Sequence, residues 1–301
     1  MGELARRFGK FTVGAMVVAL LLAYPVACIL YSRIPDQIPE NLPRQIWADT
    51  RIGASIELIE NKLETEGWVV ARPDWHPQSR LTAMPSFQKG VSEVMSGFAR
   101  LRADLVDPGQ GADGDLLLAA NLLAEADTEF AEDQIFAAIQ ALRRFDGLKA
   151  RRVLDDTPQI DLLAREAGLF TAVLESCYAD LRNIAENGSR AFIDQTRIAV
   201  YYRTKGRLFA VGVLLNAQPD DMIASAQSRS LIANSQSSLR EAYKPSPILI
   251  SNPVPSGFSL FGSDYLQLMY LVSEAQADME KLADLLSDKP APRAVSLVER
   301  S

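Results

Sequence analysis

Apolar residues follow two different patterns along this chain, one continuous and one periodic. From Phe11 to Ser32 no side chain is charged, and the run FTVGAMVVALLLAYPVACILY is 21 residues long. A helix of that length is about 32 Å, enough to cross the hydrocarbon core of a bilayer. Beyond Arg44 the apolar positions become stripes: Ile52, Ile56, Ile59 and Leu63, then Phe87, Val91, Val94, Phe98, Leu101 and Leu105. Steps of three and four place each set on one face of a helix, turned toward a core or a partner. The same rhythm predicts helices over 113–126, 132–154, 158–186, 189–215, 219–243 and 263–286. Thr157 reads as an N-cap with Pro158 in the first turn of its helix, and Asn187-Gly188 as the end of that helix.

Two irregular stretches interrupt the helices. Residues 67–85 hold Trp68-Val69-Val70 followed by Pro73, Pro77 and Pro85, and residues 244–262 hold Ile248-Leu249-Ile250 among four prolines. The two β-rich runs are expected to pair as a short two-stranded ribbon beside the helices. Loops of this length often carry binding, so Trp75, His76, Met84, Pro85, Phe87, Gln88, Ile248 and Asn252 are the candidate interaction residues. Residues 33–43 carry Pro35, Pro39 and Pro43 and read as an extended spacer after the apolar run, with the helical body over 44–287 and a polar tail over 288–301.

Charge settles an orientation. Arg6, Arg7 and Lys10 precede the apolar run, which by the positive-inside rule places residues 1–10 in the cytoplasm and the body in the periplasm. The run is longer than a secretory h-region and continues through Ile29, Leu30 and Tyr31, so it reads as a retained signal anchor over 11–32. Cleavage and lipidation at Cys28 is the lesser alternative, since Pro25 stands where a lipoprotein box carries a Leu-like residue. Ala15, Ala19, Ala23 and Ala27 recur every fourth residue and offer a small-residue face for helix–helix contact in the membrane. A mean hydropathy of +0.00 is therefore the average of an anchor and an ordinary soluble body.

The remaining composition removes function classes. A net charge of −7 argues against nucleic-acid binding, which rests on neutralising phosphates. Two cysteines make no disulfide framework and a single histidine makes no multi-His metal site. His76 would have to serve any Ser-His or Cys-His mechanism, but between Trp75 and Pro77 it reads as structural. Cys177 shares a helix face with Leu174, Leu181 and Ile184 and reads as a small core residue. Asp107 to Asp115 matches only part of a calcium loop, so Asp113 and Asp115 read as helix N-terminal acids. Arg143, Arg144, Lys149, Arg151 and Arg152, and separately Arg197, Arg203, Lys205 and Arg207, read as solvated faces paired with Asp146, Asp155 and Asp194. Asn187-Gly188-Ser189 has the form of a glycosylation sequon but reads as a helix-ending turn. No catalytic residue, cofactor or metal is expected.

Several short motifs resemble a known family. Trp75-His76-Pro77, then Met84-Pro85-Ser86-Phe87-Gln88-Lys89-Gly90, are similar to the "W-x-P … N-M-P-N-F-Q-x-G" stretch of an uncharacterised family of proteobacterial membrane-anchored proteins, domain of unknown function 2333. Asp113-Gly114-Asp115-Leu116, the 197–215 helix, Pro247 to Asn252 and Asp264 to Met269 extend the resemblance over most of 68–286, with Ser86 where the family pattern has Asn. The resemblance implies a single-pass, largely α-helical envelope protein and brings no catalytic residues.

The expected fold is thus mainly α: one transmembrane helix, then a periplasmic multi-helix bundle with a short ribbon. The expected function is a non-enzymatic interaction or scaffold module on the periplasmic face of the inner membrane, in contact with the bilayer and with a protein partner or a second copy of the chain. A lipid- or small-ligand-binding module is the second reading, and a periplasmic glycan or cell-wall hydrolase the third.

Overall fold

The computed structural model describes residues 34–42, 44–72, 82–106, 113–126, 128–151, 159–187, 195–219, 225–244 and 263–287, together with Ala19 and Ala23. Within residues 34–287, eight α-helices are described: α1 (Thr50–Glu66), α2 (Ala83–Val106), α3 (Gly114–Ala124), α4 (Ala131–Ala150), α5 (Gln159–Asn187), α6 (Gln195–Asn216), α7 (Ala226–Tyr243) and α8 (Ser263–Ser287). The mainly helical bundle read from the stripes is present, and no strand occurs among the described residues. None of the helices among them is long and apolar enough to cross a membrane. The anchor expected over 11–32 lies outside the described residues except for Ala19 and Ala23, which are helical and exposed.

The helices form two rings that share α6. In the first, α1 packs on α4, α4 on α3, α3 on α2, and α6 closes the circle against α2 and α1. In the second, α5, α6, α7 and α8 each touch the next, and α8 returns to α5. Helix α6 is therefore enclosed from several sides, and every residue from Thr204 to Leu215 is buried. One continuous apolar core, including Ile56, Phe87, Phe98, Leu174, Phe209 and Leu268, runs through both rings.

Glycines let the central pair come close. A Cβ on Gly206 would run into the carbonyl oxygen of Phe87 and stand 3.1 Å from Val91 N, while one on Gly90 would strike the carbonyl oxygen of Arg203 and stand 2.9 Å from Arg207 N. Helices α2 and α6 thus cross backbone on backbone, each contributing the residue that has no side chain. Around the crossing, the Phe87 and Phe209 ring centroids lie 5.6 Å apart and the Phe209 and Tyr243 centroids 5.5 Å apart, within the range of favourable aromatic pairs.

Element ends depart from the periodic reading for identifiable reasons. The first stripe, Ile52 to Leu63, is read within 44–66, and α1 occupies only Thr50–Glu66 of that stretch, because Asp49 caps it by accepting from Arg51 N and Ile52 N. Glu57 holds the preceding segment off the helix axis, accepting from Arg44 N at 2.7 Å, Gln45 N at 2.9 Å and Trp47 Nε1 at 2.8 Å. The N-cap expected at Thr157 lies outside the described residues.

The expected ribbon does not form on its first side. Val69–Ala71 is a single 3₁₀ turn, and its backbone groups are used locally: Ala71 N donates to Trp68 O, and Arg72 N to Val69 O. Gly67, at φ 67°, supplies the left-handed turn that ends α1. The Trp68 indole then enters the core and donates to Ala126 O at 2.8 Å. Ile248-Leu249-Ile250 lie outside the described residues.

Gln88 locks this corner from α2, donating to Gly67 O at 2.7 Å and accepting from Val69 N at 2.9 Å. Gln88→Leu keeps the volume but leaves a buried N–H and a buried carbonyl without partners. We expect it to lower stability by about 1–3 kcal/mol, read as a lower urea midpoint with unchanged helical circular dichroism before the transition.

Candidate functional site

Met84, Pro85, Phe87 and Gln88 are not loop residues. They form the first turns of α2, where Met84, Phe87 and Gln88 are buried and Pro85 is half-buried. Proline is tolerated in a helix's first turn, since the N–H it lacks has no intrahelical acceptor there. These four therefore serve packing, which corrects their expected part in an interaction loop. Trp75, His76, Ile248 and Asn252 lie outside the described residues, as do Ala15 and Ala27.

The cations on α6 are also corrected. Arg197, Lys205 and Arg207 are buried rather than solvated, because α6 has neighbours on several sides. Burial of a charge demands partners, and each has them from other helices. Arg207 reaches Glu93 on α2 at 2.9 Å and both Ser176 and Asp180 on α5. Arg203 shares Glu93, Arg197 donates to Ile184 O, and Lys205 donates to Tyr243 O beneath the Tyr201 and Tyr243 rings. Arg143 and Arg144 do face solvent, yet they pair with Glu60 and Asp115, not with the aspartates nearest in sequence. Cys177 is fully buried, as its helix face predicts, and burial pushes its thiol up to about 11. Such a thiol is inert as a nucleophile at neutral pH.

A second charged cluster joins four elements at the head of α1. Asp49 meets Arg102 from α2 and Lys149 from α4, the latter at 3.0 Å, while Glu166 from α5 pairs with Arg51 and, at 3.4 Å, with Arg102. Asp146 accepts from Ala48 N at 3.2 Å and Asp49 N at 2.8 Å. Arg51, Arg102 and the partly exposed Lys149 face the buried carboxylates of Asp49 and Glu166, and Asp146 is held by backbone N–H groups. Burial disfavours the charged form of Asp49, but Arg102, Lys149 and Arg51 outweigh it and hold the carboxyl well below the ordinary range. Burial lifts the carboxyl of Glu166, with Arg51 and Arg102 opposing. The ion pairs run from the head of α1 to α2, α4 and α5, so the cluster acts as a brace between helices. Among the described residues no group of three or more His, Cys, Asp or Glu side chains gathers as metal ligands do; Asp113 caps α3 through Leu116 N.

One feature suited to a partner lies on the outside of the α3–α4 hairpin. Phe130 is 62 % exposed, Phe136 58 % and Leu118 44 %. The Asp115–Arg144 ion pair, 2.7 Å long, sets the register of this hairpin. Leu118 and Leu122 follow Asp115 on its own face at three and seven residues, and Gln140 and Phe136 precede Arg144 at four and eight. Leu118 and Phe136 therefore stand on the side of the hairpin that carries this pair, with Leu122 half-buried against the core beside them and Phe130 at the N-cap of α4. Exposed carboxylates of Glu125, Glu129 and Asp133 border these residues. A sequence signal for this face exists: Ile135, Ile139, Leu142 and Phe145 mark the buried stripe of α4, and Phe136 stands one residue, about 100°, off it. A separate polar groove of about 380 Å³ runs between α7 and α8, lined by Asn234, Ser237, Ser238, Glu274, Asp278 and Lys281.

Comparison with known protein families, with curated proteins and with solved structures finds no match to this chain.

Proposed function

We propose that this protein is a membrane-tethered, non-enzymatic module that binds or scaffolds another protein on the periplasmic face of the inner membrane. The observation that carries the reading is the exposed seam of Leu118, Phe130 and Phe136 with its acidic border. Large aromatic side chains left in water are the kind of residue that anchors protein interfaces. The carboxylates beside them select a partner surface that is apolar at its centre and basic at its rim. The uncharged run 11–31, with Arg6, Arg7 and Lys10 before it, supports the tether and its orientation.

Photocrosslinking amino acids placed at Phe130 and Phe136 in intact cells test this. A discrete protein adduct is expected at both positions and at neither Glu175 nor Glu280, which are exposed elsewhere. Asp133→Lys should weaken the adducts by reversing the charge of the rim. A reporter active only in the periplasm, fused after Ser301, is expected to be active. Absence of adducts at both aromatics sinks the interaction reading, and cytoplasmic reporter activity sinks the orientation.

A further inference from the structure

The proline-rich segment after the apolar run is not a free spacer. Residues 34–42 lie along α6 and α7, so the folded body begins before Arg44. Tyr243 Oη donates to Pro35 O at 2.6 Å and Asn216 Nδ2 to Pro39 O at 2.9 Å. Ile38, only 5 % exposed, fills the notch at Gly212, where a Cβ would come within 2.7 Å of its Cδ1. Leu42 is buried as well, and Glu40 pairs with Arg240 at 3.3 Å. The residues that grip this segment are themselves fixed: Tyr243 is buried and its carbonyl accepts from the buried Lys205. Proline adds stiffness, since each ring fixes one backbone dihedral.

We infer that residues 34–42 are a rigid bracket, and that the C-terminal end of α7 is the surface of the bundle that faces the lipid headgroups. This rests on the proposed reading of 11–31 as a membrane span. Tyr31 ends that run, and Pro35 is already gripped by Tyr243. Four residues reach at most about 14 Å when fully extended, so the Tyr243 end of α7 is held at the bilayer surface. A free spacer over 33–43 would reach nearly three times as far and leave the bundle without a preferred face. The exposed side chains at this end include Asp36, Gln37, Glu40, Arg240, Glu241 and Lys244. Mixed charge of this kind suits the hydrated headgroup layer and not the hydrocarbon beneath it. Proximity here comes from the bracket, with no need for a basic patch attracting anionic lipid.

The bracket has a signature that a spacer lacks: the position of an insertion matters. The full chain carrying Cys28→Ala and Lys244→Cys, with a fluorophore on residue 244, is reconstituted into phosphatidylethanolamine–phosphatidylglycerol vesicles doped with headgroup spin-labelled lipid. Cys177 is buried and stays unlabelled. Twelve Gly/Ser residues inserted between Arg33 and Ile34 add a coil of about 19 Å root-mean-square length; they leave the docked segment intact and should weaken quenching at residue 244 several-fold. The same insertion between Pro43 and Arg44 lies beyond the bracket and should leave quenching unchanged. Equal loss from both insertions, or loss from neither, overturns the bracket. Matching circular dichroism melts for both insertions show that the fold persists. Carbonate extraction separates the two readings: a chain released from the vesicles refutes the membrane span, whereas a retained chain with insensitive quenching refutes the bracket alone.

Discussion

Gly206→Ala is expected to prevent the bundle from folding stably, with a loss of about 3 kcal/mol or more. The added methyl would meet the Phe87 carbonyl and the start of α2, not the end of a flexible side chain. Backbone cannot step aside without moving α2 along its whole contact with α6, and α6 is enclosed. Gly90→Ala is expected to act in the same way from the other side, since its methyl meets Arg203 O and Arg207 N. The controls are glycines in the same kind of helix interior with open space around them. Gly147 and Gly168 have nothing within 4 Å of an added Cβ, so alanine there should be neutral or stabilise by about 0.5–1 kcal/mol. Urea unfolding of the four variants separates crowding from helix propensity. If all four shifted alike, the close crossing would be refuted.

Arg102→Met should cost about 3 kcal/mol, because it takes one cation from each of two buried carboxylates, leaving Asp49 with Lys149 and Glu166 with Arg51. Adding Glu166→Gln to that variant should recover part of the loss, since the cluster's cations and carboxylates are then again equal in number; urea midpoints of the single and double variants read the coupling. The same cluster fixes the acid limb of the stability profile. Unfolded, Asp49 titrates near 3.9, and its folded value is lower. Its contribution is therefore complete above about pH 4 and drains away as the pH falls toward the folded value. Glu166 runs the other way: with a raised folded value, it favours the fold most once the pH is below about 4.3 and less as the pH rises through the folded value. The stability gap between the wild type and Asp49→Asn should accordingly narrow below about pH 4. A gap that stays constant down to the acid transition would mean that Asp49 is not held by its cations.

Which parts of this structure were open to reading depended on whether the cause was local. The stripes on α1 and α2 are local, repeating within one helix; Ile52, Ile56, Ile59, Phe87, Val91, Val94 and Phe98 are buried as they predict, while Leu63, Leu101 and Leu105 are half-buried. Asp113 at the start of α3 and Cys177 among leucines were legible for the same reason. The head of α1 was not, because Glu57 draws residues 44–47 away from the helix through contacts about ten residues distant. Pro85 looked like the end of a loop, yet a proline in the first turn of α2 obeys the same steric rule that bars it from the interior. The cations of α6 alternate with tyrosines as on a solvated face; only the partners on α2, α5 and α7, far away in sequence, make their burial tolerable. The hint was present in Gly90, Gly206 and Gly212, since glycines inside helices usually record a neighbour that comes too close for a side chain. Phe136 was likewise visible as a phenylalanine off its own stripe, but an outward aromatic has meaning only once the faces around it are known.

The shared position of α6 also sets a timetable for the newborn chain. Gly90 and Gly206 stand 116 residues apart in sequence (206 − 90), so α2 is synthesised long before the helix that covers it. At about 5–20 residues per second the delay is roughly 6–23 s, far longer than a helix needs to form. During that interval the α6-facing side of α2, with Met84, Phe87 and Val91 on it, has no native cover, and neither has the bracket segment that later settles on α6 and α7. Contacts of such sequence separation slow folding and expose apolar surface to aggregation. A nascent chain stopped before residue 216 should accordingly be held by chaperones, and one that has released α8 should not.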